Sequence, residues 1–109
     1  MLSFSPGGTL LVGGGESGTV QLWNLVGKTS RKLSGHLGRI DAMAFSCDGS
    51  LLATAGKDSV VQFHDTSKGT LKRTLRGLDS RIASMVFSPD NGVLVTGSRN
   101  GTVRLWRLK

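Results

Sequence analysis

The sequence predicts an all-β protein built from repeated four-stranded antiparallel sheets. The first observation is that a segment of 22 residues recurs three times without a gap, at Phe4–Leu25, Phe45–Thr66 and Phe87–Leu108, and the first and third copies agree at 12 of these positions. The second is that short apolar runs alternate with turn formers along the 109-residue chain, with no stretch of helical periodicity between them. A spacing of about 41 residues therefore leaves room for four short strands in each unit.

The four strands of a unit are clearest in the middle copy. Three mostly apolar runs come first, and Asp48-Gly49 and Lys57-Asp58-Ser59 form the turns between them. The fourth run alternates apolar residues with Lys and Thr, so we expect it at a solvated outer edge, whereas the first three should be buried on both faces. The predicted strands are Ile40–Phe45, Ser50–Ala55, Val60–His64 and Thr70–Leu75.

These units resemble WD repeats, the propeller blades of transducin-beta-like proteins. The family pattern runs from a Gly-His pair through Phe-Ser-Pro-Asp-Gly and Leu-Ala-Ser/Thr-Gly to an Asp and Thr-Val-Arg-Leu-Trp-Asp. The resemblance implies a β-propeller fragment with blades at residues 1–34, 35–76 and 77–109, the first incomplete at its start and the last without its outer strand. The matching positions are Gly35-His36, Phe45-Ser46, Asp48-Gly49, Ala53-Thr54 and Asp58 in the middle unit and Thr102–Trp106 in the third.

The same resemblance implies a structural hydrogen-bond network in each blade, which joins a His, a Ser or Thr, an Asp and a Trp and so satisfies buried polar groups. The chain departs from the pattern in every unit. His64 stands in the place of Trp in the middle blade, Asn100 and Leu78 replace the Asp and His of the third, and Gly13 and Ser17 take the hydroxyl and acid places of the first. The middle blade is therefore expected to be the best connected. The network residues are His36, Thr54, Asp58, Thr96, Trp106 and Trp23.

Three patterns suggest chemistry, and each has a simpler structural interpretation. His36, Thr54 and Asp58 are the residue types of a nucleophilic triad, but the repeat register buries Thr54 within a strand, away from any substrate. His36 and His64 lack the ligand spacing of a metal site. Gly13-Gly14-Gly15 lacks the Gly-Lys-Ser/Thr of a phosphate loop, so these glycines are expected to serve a turn and close packing between blades. We expect no enzyme activity, catalytic residue, metal or cofactor.

Positive charge is the feature that the repeat does not explain, because 14 Lys and Arg face 7 Asp and Glu, for a formal charge of +7. One group of cations, the outer-strand group, falls in or next to the predicted outer strands of the first two units, where such residues discourage strand pairing with other molecules. A second group, Arg39, Lys57, Arg81 and Arg99, occupies equivalent connections in two units. The resemblance implies that these connections emerge on one face, with Asp41 among the cations and His36 just beneath. The outer-strand group is Lys28, Arg31, Lys32, Lys68, Lys72, Arg73 and Arg76.

The predicted function is a non-catalytic protein-interaction scaffold that presents this basic face to a protein or to an acidic or phosphorylated peptide. The alternative is a nucleic-acid-associated module, for RNA or chromatin, held through phosphate contacts. Base stacking is disfavoured because all the aromatic residues occupy repeat positions expected in the core. They are Phe4, Phe45, Phe63, Phe87, Trp23 and Trp106.

The length implies an incomplete ring, because about two and a half repeats are present and a closed propeller takes 4 to 8 blades. Either the chain is part of a longer one that holds the remaining blades, or several copies assemble to complete a ring. No apolar run approaches the ~20 residues of a membrane span. One cysteine and the absence of a signal sequence favour the cytoplasm, with the nucleus as the alternative.

Overall fold

The structure is a computed structural model that describes residues 1–33, 35–36, 38–76 and 80–108. Within these residues, eleven strands form three antiparallel sheets, one for each sequence unit, which do not close a ring, and no helix is long and apolar enough to cross a membrane. The prediction of an all-β fold of repeated antiparallel units is confirmed. Leu78, expected in the place of the network His, lies outside the described residues.

The strands of each sheet follow chain order, and each predicted strand of the middle unit lies within one residue of the observed one. The outer strand of that unit is exposed over its first four residues, as expected. The first sheet contains β1 (Leu2–Phe4), β2 (Leu10–Gly14), β3 (Val20–Asn24) and β4 (Thr29–Leu33); the second contains β5 (Ile40–Phe45), β6 (Leu51–Gly56), β7 (Val61–Asp65) and β8 (Thr70–Leu75); the third contains β9 (Ile82–Phe87), β10 (Val93–Ser98) and β11 (Val103–Arg107).

The turn between the second and third strands of every unit uses a residue in the left-handed region of backbone space. Gly18 (φ 87°) and Gly101 (φ 89°) occupy this place in the first and third units, and Ser59 (φ 57°) occupies it in the middle one. Glycine adopts this conformation without a steric cost and serine does not. The turn therefore repeats even where the residue differs. A second set of equivalent left-handed positions is Gly8, Gly49 and Asn91.

Each sheet has two packing faces, which its strands define by alternation. The face that meets the following unit, the forward face, carries Val20 and Leu22 in the first unit and Val61 and Phe63 in the middle one. The opposite, rear face meets the preceding unit. The strand register places Val103 and Leu105 on the forward face of the third unit. The rear-face residues are Phe4, Leu11 and Trp23 in the first unit, Phe45, Leu52 and His64 in the middle unit, and Phe87, Leu94 and Trp106 in the third.

Two hydrophobic cores lie between neighbouring sheets. The first joins the forward face of the first unit to Ile40 and Leu52 of the middle unit. The second joins the forward face of the middle unit to Ile82, Phe87 and Leu94, and the rings of Phe63 and Phe87 meet edge to face across it with centroids 6.4 Å apart. Packing between units thus holds the sheets in sequence.

The aromatic residues do not all lie in the core. Phe63 and Phe87 are buried, and Phe45, Trp23 and Trp106 are partly buried. The core expectation is wrong for Phe4, whose side chain is 62% exposed. Its place in the repeat is the same as that of Phe87, but no unit within the described residues covers the rear face of the first sheet. Burial at this position therefore depends on a neighbouring unit.

Candidate functional site

Two kinds of connection meet at one edge of the structure, and they carry the predicted basic residues. The Lys57 N–H donates to the carbonyl of Arg39 at 2.8 Å, and the Arg99 N–H donates to the carbonyl of Arg81 at 2.9 Å. In each of these two units, the turn between the second and third strands therefore lies beside the segment that enters the first strand. This pairing places the two cations of each unit side by side.

Asp41 joins the two units at this edge. Arg81 holds it in a bidentate pair, with Nε donating to Oδ2 and Nη2 donating to Oδ1, both at 2.8 Å. Arg39 Nε lies 3.6 Å and Arg99 Nη2 3.8 Å from Asp41 Oδ1. One carboxylate thus holds three guanidinium groups close together. The planar guanidinium of Arg81 matches the carboxylate in a bidentate pair.

A β-bulge explains how the carboxylate reaches this position. The register between β5 and β6 shifts between Ile40 and Ala42, so Asp41 has no partner directly opposite it on β6. A β-bulge removes one residue from the regular pairing between two strands and changes the direction of its side chain. The Asp41 side chain is consequently only 2% exposed.

Electrostatics within the cluster favour the ionised pair. The hydrogen bonds from Arg81 are the largest influence and lower the pKa of Asp41, burial opposes this shift, and the nearby charges of Arg81, Arg99 and Arg39 add to the lowering. The same bonds raise the pKa of Arg81. Asp41 and Arg81 therefore stay ionised together at neutral pH. We name its residues, with the adjacent Lys57, the basic loop face: Arg39, Asp41, Lys57, Arg81 and Arg99.

A second polar group, the histidine network, lies on the rear face of the middle sheet. His36 Nδ1 is 3.1 Å from Asp58 Oδ1, and His36 Nε2 is 2.8 Å from Thr54 Oγ1. Thr54 Oγ1 is in turn 3.3 Å from His64 Nε2. His36 is nearly buried, and Thr54 and His64 are fully buried. The four residues Asp58, His36, Thr54 and His64 form one continuous row.

The proton positions follow from the donors available. His36 Nδ1–H donates to the Asp58 carboxylate, which leaves His36 Nε2 to accept the Thr54 hydroxyl proton. The Thr54 oxygen then accepts from His64 Nε2–H. Among the residues that the structure describes, His64 Nδ1 is left as a buried acceptor without a hydrogen-bond partner. Burial lowers the pKa of His64 to about 4, and the neighbouring His36 adds to this effect.

The other two units hold simpler versions of this arrangement. In the third, Trp106 Nε1–H donates to Thr96 Oγ1 at 3.1 Å, so Thr96 and Trp106 occupy the places of Thr54 and His64. In the first, Gly13 stands in the hydroxyl place and offers no oxygen to Trp23. A Cβ on Gly13 would lie 3.0 Å from the Trp23 ring, which shows that the indole packs directly over the glycine.

The histidine network supports the basic loop face from below. A Cβ on Gly56 would lie 2.9 Å from the Cβ of His36 and 3.0 Å from the carbonyl oxygen of Arg39. The backbone N–H of His36 donates to the carbonyl of Gly18 at 2.9 Å, which ties this segment to the first unit. His36 therefore fixes the turn before Lys57 and the segment that carries Arg39.

Gly14, near the turn of the first unit, packs closely against the middle unit. A Cβ on Gly14 would lie 2.9 Å from Ile40 Cγ2, because the Ile40 side chain crosses from the middle unit into this space. Only a glycine allows that approach. Among the residues that the structure describes, no group of three or more His, Cys, Asp and Glu side chains is arranged to hold a metal ion.

Sequence reasoning missed two features of the site. Asp41 was expected as one charged member of an exposed face, and the structure makes it the buried centre; the bulge that turns it inward leaves no signal in the residue pattern. His64 was treated as a departure from the network, and the structure makes it the fourth member. The available signal was chemical, because an imidazole N–H can replace the indole N–H as a donor.

Comparison with known proteins assigns the repeats. The family model described as "WD domain, G-beta repeat" matches residues 2–24, 27–65 and 69–107. A solved structure, the crystal structure of the Myceliophteria thermophila Cps50 (Swd1) beta-propeller domain, superposes with a TM-score of 0.87 at 24% identity, over 99% of this chain and 35% of that chain. This likeness shows the fold.

Curated relatives match parts of the chain. The Small ribosomal subunit protein RACK1y of Oryza sativa subsp. japonica is 38% identical over 68 residues, which is 62% of this chain and 20% of that protein. Protein ROOT INITIATION DEFECTIVE 3 of Arabidopsis thaliana is 41% identical over 56 residues, 50% of this chain and 13% of that protein. A bromodomain and WD repeat-containing protein of Dictyostelium discoideum is 40% identical over 62 residues, 56% of this chain and 3% of that protein. The chain spans a fifth or less of these relatives.

Proposed function

Because the chain belongs to the WD40-repeat family, whose domains are generally protein-interaction scaffolds, we propose that it is a non-catalytic scaffold. Its ligand is an acidic or phosphorylated segment of a partner protein, which binds on the basic loop face. The observation that carries the proposal is the gathering of Arg39, Arg81 and Arg99 around the buried carboxylate of Asp41. The following geometry supports it.

Two of the three guanidinium groups keep donors for a partner. Arg39 and Arg99 have side chains that are 56% and 49% exposed. Their distances to Asp41, 3.6 and 3.8 Å, exceed the range of a direct hydrogen bond. Arg81 is 27% exposed, and its Nε and Nη2 groups already donate hydrogen bonds to Asp41. An incoming carboxylate or phosphate therefore meets Arg39 and Arg99 first.

Asp41 positions the cations without competing strongly for the ligand. Its side chain is almost fully buried, so the face toward solvent is dominated by the guanidinium groups and by the exposed Lys57. The bidentate pair fixes Arg81 and the long contacts restrict the other two arginines, which reduces the ordering that a ligand must impose. Charge-assisted hydrogen bonds to such a preorganised cluster are the strong kind.

Peptide binding tests the proposal. The probe is a fluorescein-labelled peptide with one phosphoserine flanked by glutamates, and its reference is the same peptide with serine and glutamine. We expect the charged peptide to bind more tightly, and the double variant Arg39→Ala/Arg99→Ala to lose about tenfold in affinity by fluorescence anisotropy. The matched control, Lys72→Ala/Arg73→Ala, removes two exposed cations from the outer strand β8 and should change affinity less than about twofold. Equal losses in both variants would contradict a specific site.

A second candidate function is association with nucleic acid. The formal charge of +7 favours it, since cations also lie along the exposed outer strands β4 and β8. A relative that matches 62% of this chain carries the name of a small ribosomal subunit protein. This function predicts RNA or DNA affinity that falls steeply between about 50 and 200 mM salt. It also reverses the expected outcome for the two double variants, because Lys72→Ala/Arg73→Ala would then weaken nucleic-acid binding at least as much as the change at Arg39 and Arg99.

A further inference from the structure

A cavity of about 280 Å³ opens between the first and middle sheets. Its walls come from β2, β3 and β4 of the first unit and from the turn between β7 and β8 of the middle unit. Successive turns of an antiparallel sheet lie at alternate edges, so this cavity and the basic loop face lie at opposite edges. The cavity is thus a feature of the contact between two sheets and is separate from the basic loop face.

Sequence differences between the units explain why this space exists. The forward face of the first unit supplies an apolar floor, in which Leu22 is buried and Leu10 is partly buried. The repeat places Phe63 and Leu108 in the following units where Leu22 and Thr66 line the cavity. Both of those larger apolar side chains pack into the next core. The smaller leucine and the threonine therefore leave room, and a polar wall, at the earlier contact.

Arg31 crosses from the first unit toward the middle one at this cavity. The register of β4 places it directly opposite Leu22, on the forward face. Its Nη1 group donates a hydrogen bond to the carbonyl of Lys68. A Cβ on Gly69 would collide with the Arg31 side chain, and the φ of 71° at Gly69 also favours glycine. The turn between β7 and β8 thus provides a fitted place for this guanidinium.

The charge of Arg31 is not neutralised at the cavity. Arg31 is the one charged residue among those that line it, and within the described part of the chain it forms no ion pair. The carboxylate of Asp65, at the end of β7, is directed to its own turn. There Oδ1 accepts from the Ser67 and Lys68 N–H groups at 2.9 and 3.0 Å. The cavity therefore combines a fixed positive charge with an apolar floor.

We propose that this cavity binds the C-terminal residue of a partner protein, with an aliphatic side chain on Leu10 and Leu22 and the terminal carboxylate on Arg31. Its volume lies just below the range of ordinary ligand pockets, so it fits about one residue. A carboxylate and an aliphatic side chain occur together on one residue only at a C-terminus. Because Nη1 of Arg31 already bonds to Lys68, Nε and Nη2 are the pair that can hold both carboxylate oxygens.

Peptides with different ends test the ligand chemistry on the 109-residue chain. The probe is fluorescein-labelled Gly-Ser-Gly-Ser-Leu with a free carboxylate. One reference has a C-terminal carboxamide, and the other ends in glycine with a free carboxylate. We expect each reference to bind about tenfold more weakly by fluorescence anisotropy. Equal affinity of acid and carboxamide, or of leucine and glycine ends, would overturn the proposal.

A matched pair of charge variants tests the role of Arg31. Arg31→Gln should abolish the preference for the carboxylate over the carboxamide, which is a loss of about tenfold for the acid. Lys32→Gln removes the same charge from the next residue, which the register places opposite Gln21 on the rear face, and should change affinity less than about twofold. Equal losses in the two variants would indicate attraction to overall charge and contradict the site.

A third variant tests the cavity itself. Thr29→Phe places a ring at the exposed mouth and leaves Arg31 unchanged, so the leucine-ended peptide should bind about tenfold more weakly. An unchanged affinity would contradict binding in the cavity. Circular dichroism should show the same β-sheet signal in all variants, since the changed side chains are exposed.

The double variant Arg39→Ala/Arg99→Ala separates this site from the basic loop face. It lies at the opposite edge of the sheets and should leave the affinity for the leucine-ended peptide unchanged. A loss as large as that of Arg31→Gln would assign the peptide to the basic loop face and overturn the proposal. The two binding sites can therefore fail independently.

Discussion

The middle and third units share their first three strands and the two turns that connect them, but they satisfy their buried polar groups differently. In the middle unit, Thr54 lies between two imidazoles, which bond to its oxygen at 2.8 and 3.3 Å. In the third unit, Thr96 receives one indole N–H at 3.1 Å. A titratable imidazole, that of His64, can therefore take the place of an indole in this repeat. The cost is a buried nitrogen, His64 Nδ1, that has no hydrogen-bond partner within the described part of the chain.

The largest expected difference between the two units comes from removing the hydroxyl. Thr54→Val leaves His36 Nε2 and His64 Nε2 without their buried partner, and we expect a loss of about 3 kcal/mol in the free energy of unfolding. Thr96→Val leaves one N–H unpaired, and the loss should be about half as large. Urea denaturation followed by tryptophan fluorescence measures both. Equal losses would show that the longer row adds nothing.

Acid should destabilise the middle unit through His64. Its pKa is about 4 in the folded chain and about 6.5 in the unfolded chain, so the unfolded chain binds more protons between these values. This contribution to stability is complete above about pH 6.5 and is lost as the pH falls toward 4, by about 3 kcal/mol in total.

His64→Trp is the matched variant for the pH experiment. It places in the middle unit the residue that the third unit already has at the equivalent position, and an indole does not titrate. Thermal unfolding measured from pH 7 to pH 4 should show a shallower loss for this variant than for the wild-type chain. An unchanged slope would assign the acid sensitivity to groups other than His64.

Removal of the turn carboxylate has a smaller expected effect. Asp58→Ala deprives His36 Nδ1–H of its acceptor and the Val60 N–H of the side-chain oxygen 3.3 Å away, and should cost on the order of 1–3 kcal/mol. Asn100 already accepts the equivalent N–H, that of Thr102, at 3.1 Å. Asn100→Asp should therefore change the melting temperature little. An unchanged melting temperature for Asp58→Ala would count against a stabilising role of the histidine network.

The smallest effect concerns the left-handed turn. Ser59→Gly relieves a strained backbone position in the middle unit and should raise stability by about 0.5–1 kcal/mol. Gly101→Ser is the reverse change at the equivalent place, where a Cβ meets nothing within 4 Å, so its cost should come from the backbone alone. Opposite signs in denaturant midpoints would confirm that the two turns are equivalent, and equal signs would contradict it.

Much of the fold could be predicted from the residues. Turn formers such as Asp48-Gly49 delimit the strands to within one residue, and the repeat fixes which strands pair. The exposure of Phe4 could not be predicted from its place in the repeat, because that place is buried only where the sheet of another unit covers it. The inward Asp41 could not be predicted either, since it depends on a bulge and on an arginine 40 residues away. The blade boundaries and the cytoplasmic location stay predictions.

The left-handed turn positions have a consequence for how this chain tolerates change. Gly18, Ser59 and Gly101 share one backbone conformation, and so do Gly8, Gly49 and Asn91. The residues at these places thus differ between the units, while the path of the backbone is the same. Because the backbone keeps its path when the turn residue changes, replacement of single loop side chains can alter what this edge recognises and leave the sheets unchanged.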